Sequence, residues 1–549
     1  MQADSSQRKR WRSENVTDVE PFVLQNAFDS PMTAKVAPLV TLPASTTKVL
    51  PAELVRAAAA ARNSPLNNPS AVGYPTCVVI YCLSTFTFDR AAFAINVEVF
   101  PPGWLERSAS AFADPVQNAV IYKSLSSLRI HSVYEFVTRI GVNVALGLRL
   151  HTVVGAIRDP GRQRCAAYPK RQRMLPFLLV MYALLLVLFV VRSTKTSTAA
   201  CEAHPNCAVF AKRWVPAGGA AEPKCPCLML VDCDFGPKTY AEWLRPKDAT
   251  ESVAALAAMG LLQTVQVMNR YLPVIPQELR SCTDLRYLSL VYTHTATFPD
   301  WFGEFAKMEY MFVEGNPAAA LVALPENMFD LMPSLTYLHL AWHVAMPRLP
   351  SLHGLTALKS LELAGLLSLQ TLPSFSSLHQ LERFVLSASP LVDRLPDLAA
   401  IENLQTFSAY DRGAWCCNGD LGRCDLQNPL CAVHPVWGTP AATCLHPEQV
   451  ASEATIKLAA KFAPTICGPV LHPSDLEPPL TEAMVAQCGG TRFKRCELPG
   501  FDEAICYNMR FTVLTCVHSP FTIKMRRRQI QERVGDPCSV EHEAWLGCT

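Results

Sequence analysis

Leu285-Arg286-Tyr287-Leu288-Ser289-Leu290 is a six-residue unit that this chain repeats. It returns as Met308-Glu309-Tyr310-Met311-Phe312-Val313, then from Leu335 to Leu340, Leu358 to Leu363 and Leu381 to Leu386. An earlier copy runs from Leu262 to Val267, and a fading last one is Leu404-x-x-Phe407. The first positions lie 23, 23, 27, 23, 23 and 23 residues apart. Two further marks keep step. An apolar-Pro pair follows 13 to 16 residues on, at Ile275-Pro276, Phe298-Pro299, Leu324-Pro325, Leu349-Pro350, Leu372-Pro373 and Leu395-Pro396. Three residues before each copy sits another apolar slot: Met259, Cys282, Phe305, Met332, Leu355, Leu378 and Ile401.

Seven copies at this spacing are those of leucine-rich repeats. One copy supplies a short strand, a turn and a loop or short helical return, and it cannot bury its leucines alone. Stacking neighbours gives a continuous core with a parallel sheet on the concave wall. The fold class is therefore an α/β solenoid of about seven repeats over residues 249–410. One slot departs from the pattern. Eight residues after each first leucine, where Asn or Cys is usual, stand Arg270, Thr293, Asn316, His343, Leu366 and Ser389. Only Asn316 can join an internal amide ladder, so the loops must satisfy their backbone in other ways.

At 549 residues the chain has room for several units. Lys+Arg 49 against Asp+Glu 47 leaves no bulk charge for nucleic acid, so none is expected as a partner. Cysteine is the unusual count, 21, and its placement is lopsided: Cys77, Cys82 and Cys165 lie early and the rest from Cys201 onward. That asymmetry requires a compartment boundary between residues 165 and 201.

Met174–Val191 supplies it, with eighteen residues and no charge. This is near the minimum to cross a bilayer, and Pro176 falls in the first turn, where it is tolerated. Arg158, Arg162, Arg164, Lys170, Arg171 and Arg173 precede it, against Arg192 and Lys195 after it. Excess positive charge stays cytosolic. The expectation is a single-pass protein of the plasma membrane or an endomembrane, with a cytosolic amino terminus and the repeats outside or in the lumen. Residues 1–70 read as a disordered cytosolic arm without a secretory signal. Residues 71–173 read as a cytosolic region of uncertain fold: Val72–Phe88 as a buried strand or two, Tyr134–Ile157 as a core or membrane-surface amphipathic helix.

Residues 192–248 read as a stalk and a cysteine-rich cap, with Cys201, Cys207, Cys225, Cys227 and Cys233. Ala249–Leu262 reads as a helical lid on the first strand. Beyond Tyr410 the period stops, and 411–549 carries Cys416, Cys417, Cys424, Cys431, Cys444, Cys467, Cys488, Cys496, Cys506, Cys516, Cys538 and Cys548. An even number in an exported, loop-rich segment reads as a disulfide framework of undetermined connectivity. Cys416 and Cys417 need different partners, because a vicinal bridge strains the peptide. Cys282 fills an apolar repeat slot and reads as a buried free thiol. The cap then holds an odd number, and its leftover cysteine is free, bridges to the tail or links two chains. Cys225-x-Cys227 has no second paired cluster beside it, and His434, His446 and His472 fit no standard ligand spacing, so metal is not expected.

Cys488-Gly489-Gly490, Arg495-Cys496-Glu497-Leu498-Pro499-Gly500, Ile505-Cys506-Tyr507-Asn508, Met525-Arg526-Arg527-Arg528-Gln529-Ile530, Gly535-Asp536-Pro537-Cys538 and Glu543-Ala544-Trp545-Leu546-Gly547-Cys548 carry a second signal. With the span and the repeats, they resemble the oomycete membrane-anchored leucine-rich-repeat proteins that end in a Trp-Leu-Gly-Cys (WLGC) domain. The resemblance covers residues 174–549 and implies architecture and membrane association. It implies no activity and no catalytic residues.

No nucleophile elbow, His-Glu-x-x-His, phosphate-cradling glycine loop or kinase signature is present, so neither an enzyme nor a cofactor is expected. The favoured function is recognition of a protein, peptide or glycan on the concave wall. A secretory-pathway enzyme or a purely structural surface protein built on the cysteine-rich tail is the alternative. Between the strand leucines, Tyr287, Tyr310 and Tyr337 should form one column, with Phe312 and His339 beside it, as exposed ring anchors. Cross-strand stacking or burial beneath the tail would make the same rings structural. Arg526-Arg527-Arg528 reads as a solvated face. No Asn-x-Ser/Thr acceptor lies beyond residue 193; the one match is Asn15-Val16-Thr17.

Overall fold

The computed structural model describes residues 69–85, 89–99, 114–126, a few positions between 128 and 148, 174–213, 224–316, 320–411, 413–468 and 480–549. The arm expected over 1–70 lies outside these residues but for its last two.

Nine strands form one sheet in chain order. β1 (Cys207–Phe210) runs antiparallel to β2 (Cys227–Cys233), and every later pairing is parallel. The seven repeat strands are β3 (Thr264–Met268), β4 (Tyr287–Val291), β5 (Tyr310–Glu314), β6 (Tyr337–Ala341), β7 (Ser360–Ala364), β8 (Arg383–Ser387) and β9 (Thr406–Tyr410), joined by six returns. The register matches the copies residue for residue: Tyr287 opposite Tyr310, Tyr310 opposite Tyr337, Phe312 opposite His339. All three leucines of each unit face one continuous core, which also takes in Phe302, Phe305, Met328 and Phe375.

The returns are tighter than an α/β solenoid implies. Among the described residues the helical part of the repeats is two 3-10 turns, Gln277–Ser281 and Asp300–Glu304, each entered through a proline, Pro276 and Pro299. Twenty-three residues, five of them in a strand, leave no length for an α-helix. Every repeat strand but β5 then ends in a left-handed residue: Asn269, Tyr292, Trp342, Gly365, Ala388 and Asp411, with φ of 51°, 53°, 57°, 63°, 48° and 69°. Loop groups are satisfied locally, as the irregular slot requires. Arg270 Nε donates to Asp232 at 2.7 Å, Thr295 Oγ1 to Leu272 O at 2.8 Å, and Leu321 N to His343 Nδ1 at 3.3 Å.

Among the described residues, α1 (Pro69–Thr85), α2 (Arg90–Val99), α3 (Pro115–Ser126) and α4 (Met174–Cys201) precede or open the solenoid. α1 corrects the strands expected over Val72–Phe88. Its apolar residues, Val72, Tyr74 and Cys77–Leu83, keep no period of two, so no strand alternation opposes the helix. α4 corrects the stalk: the helix continues past the apolar run into the cap. There Ser197 Oγ donates to Arg213 O at 2.7 Å, Arg213 N returns a bond at 2.9 Å, and Cys201 is bridged to Cys225. Next come α5 (Tyr240–Leu244) and α6 (Thr250–Ala257). α6 is the lid, burying Val253, Leu256 and Ala257 on the first repeat. At the far end Trp415, Ile466 and α7 (Glu453–Ala460) close the core. Thr455 Oγ1 accepts from Leu398 N at 2.8 Å, and Thr465 Oγ1 donates to Phe407 O at 2.6 Å.

The tail adds α8 (Glu482–Cys488), a three-stranded antiparallel sheet of β10 (Arg495–Leu498), β11 (Phe501–Tyr507) and β12 (Thr515–Val517), and α9 (Pro520–Glu532). Its twelve cysteines form six bridges: 416–467, 417–431, 424–444, 488–506, 496–516 and 538–548. Cys416 and Cys417 do part to different partners. In the cap Cys201 joins Cys225 and Cys207 joins Cys227, so Cys233 is the leftover, and Cys282 is buried and free. The basic run is only partly a solvated face. Arg526 is buried, paired with Glu543 at 2.6 Å, and only Arg527 and Arg528 reach the surface.

α2 and α3 pack against this folded body. Ile95 and Val99 of α2 are buried with Phe493, Ile505 and Ile523 of the tail, and Asn96 Oδ1 accepts from Gln529 Nε2 at 3.1 Å. α3 sets Ala119 against Met229 and Val231, and Lys123 Nζ donates to Gln263 Oε1 at 2.6 Å.

Candidate concave wall

Parallel register 4.8 Å apart forces identical positions into ladders, and the aromatic positions obey. Tyr287 and Tyr310 stack with centroids 4.3 Å apart, Tyr310 and Tyr337 at 4.6 Å, and Phe312 and His339 at 4.1 Å. The interplanar angles are 5°, 8° and 7°. The expected column therefore forms. It is not the open surface that exposed anchors require: Tyr287, Tyr310, Phe312, Tyr337 and His339 are 8%, 5%, 3%, 3% and 1% exposed.

Part of the cover comes from elements that carry no repeat signal. Phe235 and Trp243 from the cap and Phe511 from the tail pack against the buried cluster that contains Met268, Tyr287, Tyr292, Tyr310, Phe312 and Tyr337. Phe511 meets Phe235 edge-on at 5.2 Å, and Trp243 meets Tyr292 edge-on at 5.2 Å. Asn269 Nδ2 donates to Phe511 O at 2.7 Å and to Asp234 O at 2.6 Å. Sequence reasoning missed this roof because nothing in a lone Phe or Trp far from the repeats announces which strand it covers.

Next to the column lies a charged group. Glu362 Oε2 accepts from Tyr337 Oη at 3.1 Å and lies 3.3 Å from His339 Nδ1, while Glu362 Oε1 accepts from Arg383 Nε at 2.8 Å. Burial alone would raise the Glu362 carboxyl; hydrogen bonding from His339 and the charge of Arg383 overcome it and hold it below the usual carboxylate range. His339 Nε2 has no hydrogen-bond partner although the residue is buried. Diagonal placement of opposite charge, Glu362 on one copy and Arg383 on the next, is the signal that could have found this network. Behind the sheet His343 is buried in the loop core, and that burial pulls its imidazole down to about 3, so it is neutral.

A separate cleft of about 260 Å³ lies where the last repeats meet α7, lined by Arg394, Asp397, Asp420, Ser452 and Thr455. Asp397 Oδ1 accepts from Ser452 Oγ at 2.7 Å and Thr455 Oγ1 at 2.9 Å, which makes it a cap joint. Sulfur atoms crowd within 4.8 Å at Cys201, Cys207 and Cys225, and again at Cys488, Cys496 and Cys506. Both groups are neighbouring disulfides and have no thiolate to offer a metal. His434 is held by Asp411 at 2.6 Å, with the Trp437 indole donating to the same carboxylate. Of the other two histidines singled out, His446 is exposed and His472 lies outside the described residues.

Residues 483–549 match the WLGC domain. That stretch takes in most of α8, β10–β12, α9 and the last three bridges. Among curated proteins none matches the chain. Similar solved structures include a leucine-rich-repeat protein of Leptospira interrogans, 17% identical over 30% of this chain and 53% of that one, with a TM-score of 0.22. The leucine-rich-repeat domain of the type III effector XopL is 16% identical over 38% and 86%, with a TM-score of 0.20. A plant ice-binding protein is 15% identical over 48% and 98%, with a TM-score of 0.20. The chain thus spans about half the length of the Leptospira protein.

Proposed function

We propose that this chain, a leucine-rich-repeat-like solenoid closed by a WLGC domain, is a membrane-anchored interaction scaffold without catalytic activity. Its partner is a protein, peptide or glycan met on the concave wall. α4 is the anchor: among the described residues Val180–Cys201 is the one stretch long and apolar enough to cross a membrane by length and composition. Eight disulfides among the described residues favour the oxidising side for the repeats and the tail.

The observation that carries the reading is His339 Nε2, a buried ring nitrogen left without a hydrogen bond in the middle of an aromatic and charged wall. Burying such a group unpaired costs about 1–3 kcal/mol, so its retention calls for an explanation. A partner that donates to or accepts from His339 while stacking on Tyr310 and Phe312 supplies one. It would reach them by displacing cover such as Phe511.

Cys233 is a poor link to a second chain. Burial raises its thiol, which leaves little thiolate for exchange. The tail's cysteines are all bridged, so a thiol-based activity there has no free sulfur.

The test is a panel of secreted peptides and glycans presented to the full chain in lipid nanodiscs. Binding should appear and should fall at least tenfold in His339→Phe, which keeps the stacked ring but removes both nitrogens. Undiminished binding in His339→Phe, with the thermal midpoint preserved, would remove the concave wall as the site.

A further inference from the structure

We propose that the cleft between the last repeats and α7 is a pocket for one basic side chain, the ammonium or guanidinium end of a lysine or arginine on a peptide partner. It lies on the returns of the repeats and not on the concave wall. Its lining takes in residues 370–372 and 393–397, which fall outside β7, β8 and β9. The pocket is thus a second site, and it stands without the concave-wall reading.

Asp420 carries the argument. The residue is 1% exposed, yet it lines the cleft. Its backbone is pinned on both sides: its N–H donates to Asn418 Oδ1 at 3.0 Å, and its carbonyl accepts from Ala451 N at 3.1 Å. Asp420 Oδ2 accepts from Leu395 N at 3.0 Å. Among the described residues no side chain donates to this carboxyl. Arg394, the one guanidinium on the lining, pairs with Asp393 at 3.6 Å instead. A buried carboxylate without a partner cation is costly, so the group either holds a proton or takes up a cation from outside. Burial pushes it up to about 6, which leaves it ionised at pH 7 and protonated at pH 5.

Asp397 adds a second carboxylate. Ser452 Oγ, Thr455 Oγ1 and Ala399 N all donate to its Oδ1, at 2.7, 2.9 and 3.2 Å, and hold it below the usual carboxylate range. Asp393, Asp397 and Asp420 face the single guanidinium of Arg394, so the lining is anionic at neutral pH. The side contributed by residues 449–455 brings Gln449, Ser452 and Thr455 and no charge.

Shape then selects the kind of cation. Among the described residues these carboxylates do not gather three oxygens within 4.8 Å of one another, so they do not ring a bare metal ion. Leu372, Leu395, Pro396 and Val450 supply aliphatic walls. Such walls suit the methylene stem of lysine or arginine while its charged head meets the acids. At about 260 Å³ the cleft is smaller than the roughly 300–1,000 Å³ of pockets that take a whole drug-sized ligand, so it takes one side chain.

The test titrates the peptide acetyl-Ala-Arg-Ala-amide into the full chain in lipid nanodiscs by calorimetry. Beside it runs the same peptide with citrulline, which keeps the shape of arginine and loses its charge. At pH 7 the arginine peptide should bind about tenfold more tightly or better, and the preference should shrink at pH 5 as Asp420 takes up its proton. Asp420→Asn, which can still accept from Leu395 N, should abolish the preference. Val450→Trp narrows the cleft and leaves every carboxylate in place; it should weaken the arginine peptide about tenfold while the thermal midpoint holds. Arginine and citrulline peptides that bind alike, or not at all, would overturn the proposal, as would a preference that survives Asp420→Asn. Unchanged affinity in Val450→Trp would overturn it too, because the basic group would then sit outside the cleft.

Discussion

Asn269, at the end of the first repeat strand, gives its side-chain amide to the carbonyl of Phe511, 2.7 Å away and 242 residues later. One bond thus joins the start of the solenoid to the WLGC domain, and the Phe511 ring packs against the aromatic cluster that contains Tyr287. Phe511→Ala keeps the carbonyl but removes the ring. We expect a loss of about 1–3 kcal/mol, from the edge-on pair with Phe235 and the half-buried area. Tyr287 should also become more reactive to iodination, read by peptide mass spectrometry. Unchanged labelling of Tyr287 would mean that the ring covers nothing.

Arg526 and Glu543 make the second test. The guanidinium gives two hydrogen bonds to the carboxylate, at 2.6 and 3.2 Å, and lies 4.5 Å from the Phe493 centroid. Removing one partner strands a buried charge, which costs about 3–5 kcal/mol. Arg526→Met should therefore destabilise strongly in urea unfolding, and Arg526→Met with Glu543→Leu much less. Arg527→Ala should stay within about 0.5 kcal/mol, as an exposed pair does. Equal losses for Arg526 and Arg527 would return the run to a uniform surface patch.

What the sequence made legible follows from how local each cause is. The strands from Thr264 to Tyr410 were readable because every copy repeats the same three buried positions. Stacking of Tyr287, Tyr310 and Tyr337 followed from register alone. Their burial did not, because the cover comes from Phe235, Trp243 and Phe511, whose contacts bridge separate parts of the chain. Arg526 was misread for a like reason: three arginines in a row look solvated until Glu543 is folded against the first. The docking of Ile95 and Val99 on the tail leaves no periodic trace either.

Two carboxylates set opposite acid responses. Burial pushes Asp420 up to about 6, above the roughly 3.9 of an unfolded chain. The folded protein holds that proton more tightly, so its stabilisation is full below about pH 4 and is lost as pH rises through 6. Glu362 is held low, so its contribution is present above about pH 4.3 and is lost as pH falls through its folded value. Stability should decline by about 2–3 kcal/mol from pH 4 to 6 on account of Asp420. Asp420→Asn, which can still accept from Leu395 N, should flatten that slope in chemical denaturation at pH 4, 5 and 6. A slope that persists in Asp420→Asn belongs to other groups.

Gly365 tests the left-handed turn that ends six of the seven repeat strands. It has a φ of +63°, and a Cβ built there would lie 2.8 Å from Trp342 Cε3 on the previous turn. Trp342 is itself left-handed, at φ 57°, and donates its N–H to Ala364 O at 2.8 Å, so it cannot swing aside without breaking the loop ladder. An alanine at 365 therefore meets two costs: about 1–2 kcal/mol for the left-handed backbone and a further share for displacing the indole. We expect Gly365→Ala to lose about 2–4 kcal/mol in total. The equivalent position one repeat on is Ala388, at φ 48° and buried. Ala388→Gly relieves the backbone but gives up a small buried methyl, so it should lie between no change and a gain of about 1 kcal/mol. The two substitutions thus have opposite expected signs at one structural position. Differential scanning calorimetry of both variants decides it: if Ala388→Gly lowers the midpoint as far as Gly365→Ala does, the left-handed turn is not what limits these repeats.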